Sequence, residues 1–503
     1  MLDAWSALFE LEAFGAHLSF KELVSLSRVS REWNTAYRTA WPLLWRARRD
    51  QILQNPGSWG TLKQEALCQL CMLLCAAVKG IQVKHVTVLT ENLRAEHCKL
   101  LFRRVNGMTA LHEAVRMQTF GPSPEKLQMV QALLAAGGLK LAMIEQKCGS
   151  SENVSSRHCA TALHLCAQGA CMVTTKKLLE LKSTALLRHQ SRDGKTCLHV
   201  GVVSGRVPVL RAIMQAGGLK LVTMQDDNGF TCLHYAVVHG RLSVVEELIK
   251  VGGKKLMFKK TQDGATCLFI AAQMGRTAIV DLLLHVGGPE LLFVTNDGDN
   301  SCLGASVTNS NLEVTMSLLR VGGRRLALMQ KDNGASCIHD AAFAGRSSIV
   351  DALLAVGGRE LAMLRFHSGT TAMHVAACED HVHVLQQLFE VGGTELLMQT
   401  DRLGQTCLYM AARKGHLHAV RLLEACGGED LLLLAHVDGS TCLVASALGG
   451  HLQTVNFLLS FGGARLLSAT RAWEERTKSS VVAECERLGH SEVAATLAQA
   501  MNA

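Results

Sequence analysis

The sequence predicts an all-α repeat solenoid of about eleven helix-turn-helix units joined by hairpin loops, preceded by a small three-helix motif and a helical linker. Three observations carry that prediction. First, Cys159, Gly194, Gly229, Gly264, Asp299, Gly334, Gly369, Gly404 and Gly439 recur 35 residues apart, and a fixed period of this length is the mark of one supersecondary unit stacked along an axis. Second, within each period the apolar residues are spaced by three, four and seven, as on amphipathic helices. Third, a Gly-Gly pair recurs at 137, 217, 252, 287, 322, 357, 392, 427 and 462, where a helix end needs a left-handed residue.

One unit shows how each element follows from its residues. In Gly229 to Lys260, Thr231 is expected to cap a first helix whose inner face is Leu233, Ala236 and Val237. Gly240 ends it. Val244, Val245, Leu248 and Ile249 then form the stripe of a second helix, which Gly252-Gly253 terminates. The unit beginning at Cys159 lacks the Gly-Gly pair and carries Lys182-Ser183 instead. Small pairs such as Ala341-Ala342 and Ala376-Ala377 allow close helix approach.

Composition agrees with this class. A chain of 503 residues exceeds one compact core, but a solenoid buries each unit on its neighbours and has no such limit. No apolar run reaches the roughly 20 residues needed to span a bilayer, and no basic region precedes an apolar stretch at the start. No membrane partner is expected, and the 18 cysteines are expected as reduced thiols in the cytosol or nucleus. The net charge of +8 does not call for nucleic acid over this length.

The helix-opening tetrads read Thr196-Cys197-Leu198-His199, Thr231-Cys232-Leu233-His234, Ser336-Cys337-Ile338-His339 and Thr371-Ala372-Met373-His374. A hydroxyl at the cap and a polar group three residues on is capping-box geometry, with His in place of Glu or Gln. With these residues the units resemble ankyrin repeats, whose consensus opens T-P-L-H and continues with A-A and G-H. The departure is Cys or Ala where that family favours Pro. Ten units match from Gly107 onward, and Lys478 to Ala500 reads as a C-terminal cap. The period of 35 rather than 33 suggests longer hairpin loops.

Residue columns invite a metal reading and argue against it. Cys197, Cys232, Cys267, Cys302, Cys337, Cys407 and Cys442 share one column, yet packed helices lie about 8–10 Å apart, whereas zinc–thiolate bonds are about 2.3 Å. His158, Cys159, His164, Cys166 and Cys171 fall within one ordinary repeat position, and Cys68, Cys71 and Cys75 sit in an apolar helical stretch. No metal and no cofactor are predicted. Phosphate-binding loops, nucleophile elbows and H-E-x-x-H are missing, so no catalytic site is predicted and the chain is read as a non-enzyme.

The unrepeated start supplies the second resemblance. Leu11, Phe14 and Leu18 share a helical face; Glu22-Leu23, Leu26 and Val29-Ser30-Arg31 follow; Trp33 and Leu44-Trp45 close the segment. This pattern over residues 1–48 resembles an F-box, with Ser6-Ala7 where the motif opens on Leu-Pro and Ser30 where Cys is frequent. The resemblance implies docking onto the Skp-type adaptor of cullin–RING ubiquitin ligases through Leu11, Phe14, Leu18, Leu23, Leu26, Val29 and Trp33, with residues 107–503 presenting a protein substrate. Residues 49–106 read as a helical linker. The alternative is a non-catalytic scaffold whose first helices only cap the array.

The substrate surface is expected where repeats differ. Residues after each Gly-Gly vary, and basic ones gather mid-array: Lys254, Lys255, Lys259, Lys260, Arg324, Arg325 and Arg359. The other reading is solvated loop charge. A nucleic-acid surface on the same loops lacks interleaved aromatics. The insertions at 121–126 and 148–156 extend loops of the first unit.

Overall fold

The computed structural model describes residues 101–102, 104, 107–119, 123–146, 160–169 and 171–502. The F-box-like segment with Leu11, Phe14, Leu18, Leu23, Leu26, Val29 and Trp33 lies outside the described residues, as do nearly all of the linker and the insertion at 148–156. The described residues form two compact units, one ending at Asp227 and one beginning at Asn228.

The first unit holds three helix pairs: Ala110–Thr119 with Pro124–Ala142, Ala162–Gln168 with Met172–Leu179, and Cys197–Ser204 with Val207–Val222. Its second pair has no Gly-Gly. There Lys182 takes φ 47°, and Ser183 accepts from the Leu186 N–H to start the short helix Thr184–Arg188.

The second unit repeats the pattern with greater regularity. First helices run Cys232–Val238, Cys267–Gln273, Cys302–Thr308, Cys337–Phe343, Ala372–Cys378, Cys407–Lys414 and Cys442–Leu448. Each is followed by a longer helix, among them Leu242–Met257, Leu312–Ala327, Ser347–Ala362 and Val382–Leu397. The pair Val481–Arg487 and Ser491–Asn502 closes the chain. Leu233, Ala236, Val237, Val244, Val245, Leu248 and Ile249 are all buried, as the helical spacing predicts. Each fully buried aliphatic side chain of this kind contributes about 1.5–3 kcal/mol, and stacking shares that burial between neighbours.

The Gly-Gly pair divides two jobs. In Leu242–Met257 a Cβ at Gly252 would lie 2.6 Å from the Leu256 side chain, so only glycine lets the buried Leu256 fold back on the helix. Gly253 has φ 54° and ψ −157° with open space around its missing Cβ, so there the backbone angle alone demands glycine. After the kink the chain coils into one more turn, which buries Leu256 and Met257.

Hairpins are joined edge to edge in the second unit. The N–H groups of Gln262, Asp297, His367, Arg402 and Val437 donate to the carbonyls of Asn228, Asp263, Asn333, Ser368 and Leu403, at 2.8–3.0 Å. Backbone groups that a lone hairpin would leave to water are thus paired across repeats.

Candidate interaction surfaces of the array

The histidine column is a capping device. The backbone N–H of Thr231 donates to His234 Nδ1 at 3.0 Å, and Thr371 does the same to His374 at 3.2 Å. Because Nδ1 accepts, the ring proton sits on Nε2. In His374 that Nε2 donates to the Gln405 carbonyl of the next repeat at 3.1 Å. In the first unit His164 donates likewise to Lys195 at 3.1 Å and His112 to Ala160 at 3.2 Å. His112, His164 and His374 so close their own helices and bridge to the next repeat. Burial pushes His112, His339 and His374 down to about 4, because a charged imidazole is disfavoured away from water. These rings are neutral structural parts. His164, singled out beside Cys166 and Cys171 as a metal-like cluster, accepts from the Thr161 N–H as the other capping rings do, and the Cys171 thiol lies 3.1 Å from the Thr174 hydroxyl; His158 and Cys159 lie outside the described residues.

The cysteine column also acquires a role. Thiols of Cys267, Cys302, Cys337 and Cys442 donate to the carbonyls of Met257, Leu292, Ala327 and Leu432, ten residues earlier, at 3.3–3.6 Å. Those carbonyls end the turn that follows each Gly-Gly, so the thiol serves as a weak cap for it. Burial pushes Cys197, Cys232, Cys267, Cys302, Cys337, Cys407 and Cys442 up to about 12. None is a nucleophile at neutral pH.

A second inter-repeat column had no sequence-level expectation. At the start of each longer helix, Asn311 Nδ2 donates to Ala272 at 2.9 Å, and the Nε2 of His381, His416 and His451 pairs with the carbonyls of Phe343, Cys378 and Arg413 at 2.9–3.1 Å. Arg276 reaches Val238 at 3.4 Å. The acceptors are the last carbonyls of the preceding first helix, which lack partners within it and favour cationic or donor groups. Its only sequence signal is a polar donor recurring 38 residues after a helix end.

What remains exposed varies along the second unit. At hairpin tips Asp263, Asp297 and Asp332 are exposed and acidic. The Asp299 carboxyl, hydrogen-bonded to that of Asp332, is held above the usual carboxylate range. Farther on, the tips turn apolar, with Leu403 51% and Val437 56% exposed, while Phe343 is 64% exposed on a first helix.

The predicted substrate-binding residues lie on and beside the turns after Gly-Gly. Lys254 and Lys255 are exposed and make no ion pair among the described residues, and Lys259 is half-buried. Lys260 donates to the Thr295 carbonyl at 3.0 Å. Arg325 lies 4.3 Å over the Phe293 ring. Arg324 and Arg359 bond to Glu360 and Glu395 of the following repeats. Two of the seven, Arg324 and Arg359, are thus neutralised by carboxylates of the next repeat.

No helix among the described residues is long and apolar enough to cross a membrane. Compared with known proteins, the family model of ankyrin repeats matches three stretches, residues 218–293, 338–433 and 392–469. No curated protein matches the chain. Among solved structures, the ankyrin repeat domain of Bcl-3, described as a unique member of the IkappaB protein family, aligns at 24% identity and a TM-score of 0.41, over 46% of this chain and all of that one. Repeat period, capping boxes, paired helices and family model agree: this chain carries an array of ankyrin repeats, modules that bind protein partners.

Proposed function

We propose that this protein is the substrate-recognition subunit of a Skp–cullin–F-box type ubiquitin ligase, with an adaptor dock at residues 1–48 and a substrate surface on the array. The observation that carries the reading is the pattern Leu18-Ser19, Glu22-Leu23, Leu26, Val29, Trp33 and Leu44-Trp45 standing ahead of a linker and a repeat array. A segment of this size has little room to bury its own apolar face, so a partner would cover Leu11, Phe14, Leu23 and Leu26. The array is suited to the second task because its column histidines, column cysteines and core leucines are used in capping and stacking, leaving hairpin tips and the basic residues Lys254, Lys255, Lys259, Lys260, Arg324, Arg325 and Arg359 free to vary. Cytoplasm and nucleus are the compartments that reduced, buried thiols suit.

Affinity capture of the Skp-type adaptor by the full chain tests this. Wild type should retain the adaptor, and Leu23→Asp with Trp33→Ala should lose it. Failure of the wild type to retain it would leave the array as a scaffold capped by its first helices.

A further inference from the structure

We propose that the edge around Pro289–Phe293 is the docking point for an acidic segment of a protein partner. This rests on the reading of the array as a partner-binding surface, and it adds the partner's chemistry and the place it binds.

Elsewhere along this edge, charges cancel at a 36-residue offset. Arg324 bonds to Glu360, Arg359 to Glu395, and Arg465 to Glu429. The same offset from Lys254 reaches Glu290, again of opposite sign, yet no ion pair forms between them. The reason is local. Gly288 has φ 82° and ψ 176°, against φ 56° and ψ −155° at its counterpart Gly323. Pro289 then opens a 3₁₀ turn, Pro289–Phe293, where other repeats continue as α-helix. That turn re-aims Glu290, and the Lys254 ammonium comes to rest beside Gly288, 3.5 Å from where a Cβ would stand.

On the other side of the turn the offset from Pro289 reaches Arg325, which finds no carboxylate. Its guanidinium lies over Phe293 instead, a stack that orients the group and leaves its charge in place. Lys254 and Lys255 from one repeat and Arg325 from another therefore flank a single turn, and Glu290 is the one carboxylate on it. An exposed cluster of like charge with rigid support is a surface for complementary charge. A peptide fits better than nucleic acid, because Phe293, the aromatic of the turn, is already paired with Arg325 and the turn has no second aromatic on which successive bases could stack.

The test is fluorescence anisotropy of the full chain with a fluorescein-labelled, glutamate-rich peptide, at low and at physiological salt. Saturable binding is expected, weakened about tenfold by Lys254→Glu with Lys255→Glu, as the loss of several exposed charge contacts implies. The matched control Arg413→Glu with Lys414→Glu should change it less than about twofold. Absent binding, an equal loss in the control, or tighter binding of single-stranded DNA that the same lysine substitutions abolish would each overturn the proposal. Adaptor capture is scored on the same preparations. A chain that captures the adaptor and ignores the peptide refutes this docking point alone, and the reverse result refutes only the ligase reading.

Discussion

Gly357 and Gly358 are adjacent, yet alanine at each should destabilise the repeat by a different mechanism. A Cβ at Gly357 would lie 2.5 Å from Leu361 Cβ and 2.6 Å from its Cδ2. Leu361 is fully buried, so it has no free direction of retreat. Overpacking of this kind costs about 1–3 kcal/mol, offset by roughly 1 kcal/mol from replacing glycine within a helix. The net loss should be about 0–2 kcal/mol. Gly358 has φ 60° and ψ −154° with nothing within 4 Å of its missing Cβ, so its alanine variant loses about 1–3 kcal/mol through backbone strain alone. A double-mutant cycle with Leu361→Ala separates the two. Shortening Leu361 relieves the clash with a methyl group introduced at Gly357, so Gly357→Ala and Leu361→Ala should be sub-additive by about 1 kcal/mol or more, whereas Gly358→Ala and Leu361→Ala should add within about 0.5 kcal/mol. Hydrogen exchange over residues 347–362 of the full chain reads the local opening energy, which suits an array whose repeats need not unfold together. Additivity in both cycles would refute the division of labour between the two glycines.

Three further outcomes follow from the columns. His374 is held at about 4 against 6.5 for a free imidazole; the unfolded chain binds the proton first, so stability is present above pH 6.5 and is lost as pH falls from 6.5 to 4, by an amount on the order of 3 kcal/mol. His374→Gln, which can still accept from Thr371, should flatten that acid limb in a pH series of thermal melts while changing neutral stability by less than about 1 kcal/mol; an unchanged limb would argue against the assignment. Maleimide labelling followed by peptide mapping should modify the partly exposed Cys378 and Cys426 well before the buried column from Cys197 to Cys442, and equal rates would contradict their burial. Ser310 sits at φ 60° where related positions carry Gly240, Gly275 and Gly345, so Ser310→Gly should stabilise by up to about 1 kcal/mol in denaturant. Asp380→Gly, at φ 58°, should gain less, because the Asp380 carboxylate also accepts from the Ala419 N–H at 3.1 Å.

How much of this could be read in advance depends on how local the interaction is. Thr231 and His234 are three residues apart, so their capping box is legible as a string. The Gly-Gly pair is legible as a helix end, but the clash of Gly252 with Leu256 requires the fold-back that follows. The thiol bonds of the cysteine column and the donors His381, His416 and His451 were invisible, since their acceptors are backbone carbonyls of another element and leave no trace in side-chain identity. On the basic edge, Arg324 and Arg359 were counted as free charges although Glu360 and Glu395 stood in the same variable column. The offset that pairs them is 36, one more than the period, and emerges only once neighbouring repeats are laid side by side.

Several seams of the second unit repeat one geometry, with Asn311, His381, His416 and His451 each reaching the end of a first helix in the repeat before. Removing residues 337–371 as a block would bring Ser336 before Ala372 and set His381 against the end of Cys302–Thr308, so a chain shortened by one whole repeat is expected to keep the register of its seams. The repeat containing Pro289 is the exception. Its neighbours are adjusted to an irregular turn, with Arg325 shaped to Phe293 and Lys254 to Gly288, so it is not interchangeable with the others. In a molecule otherwise assembled from equivalent parts, that repeat gives the array an address.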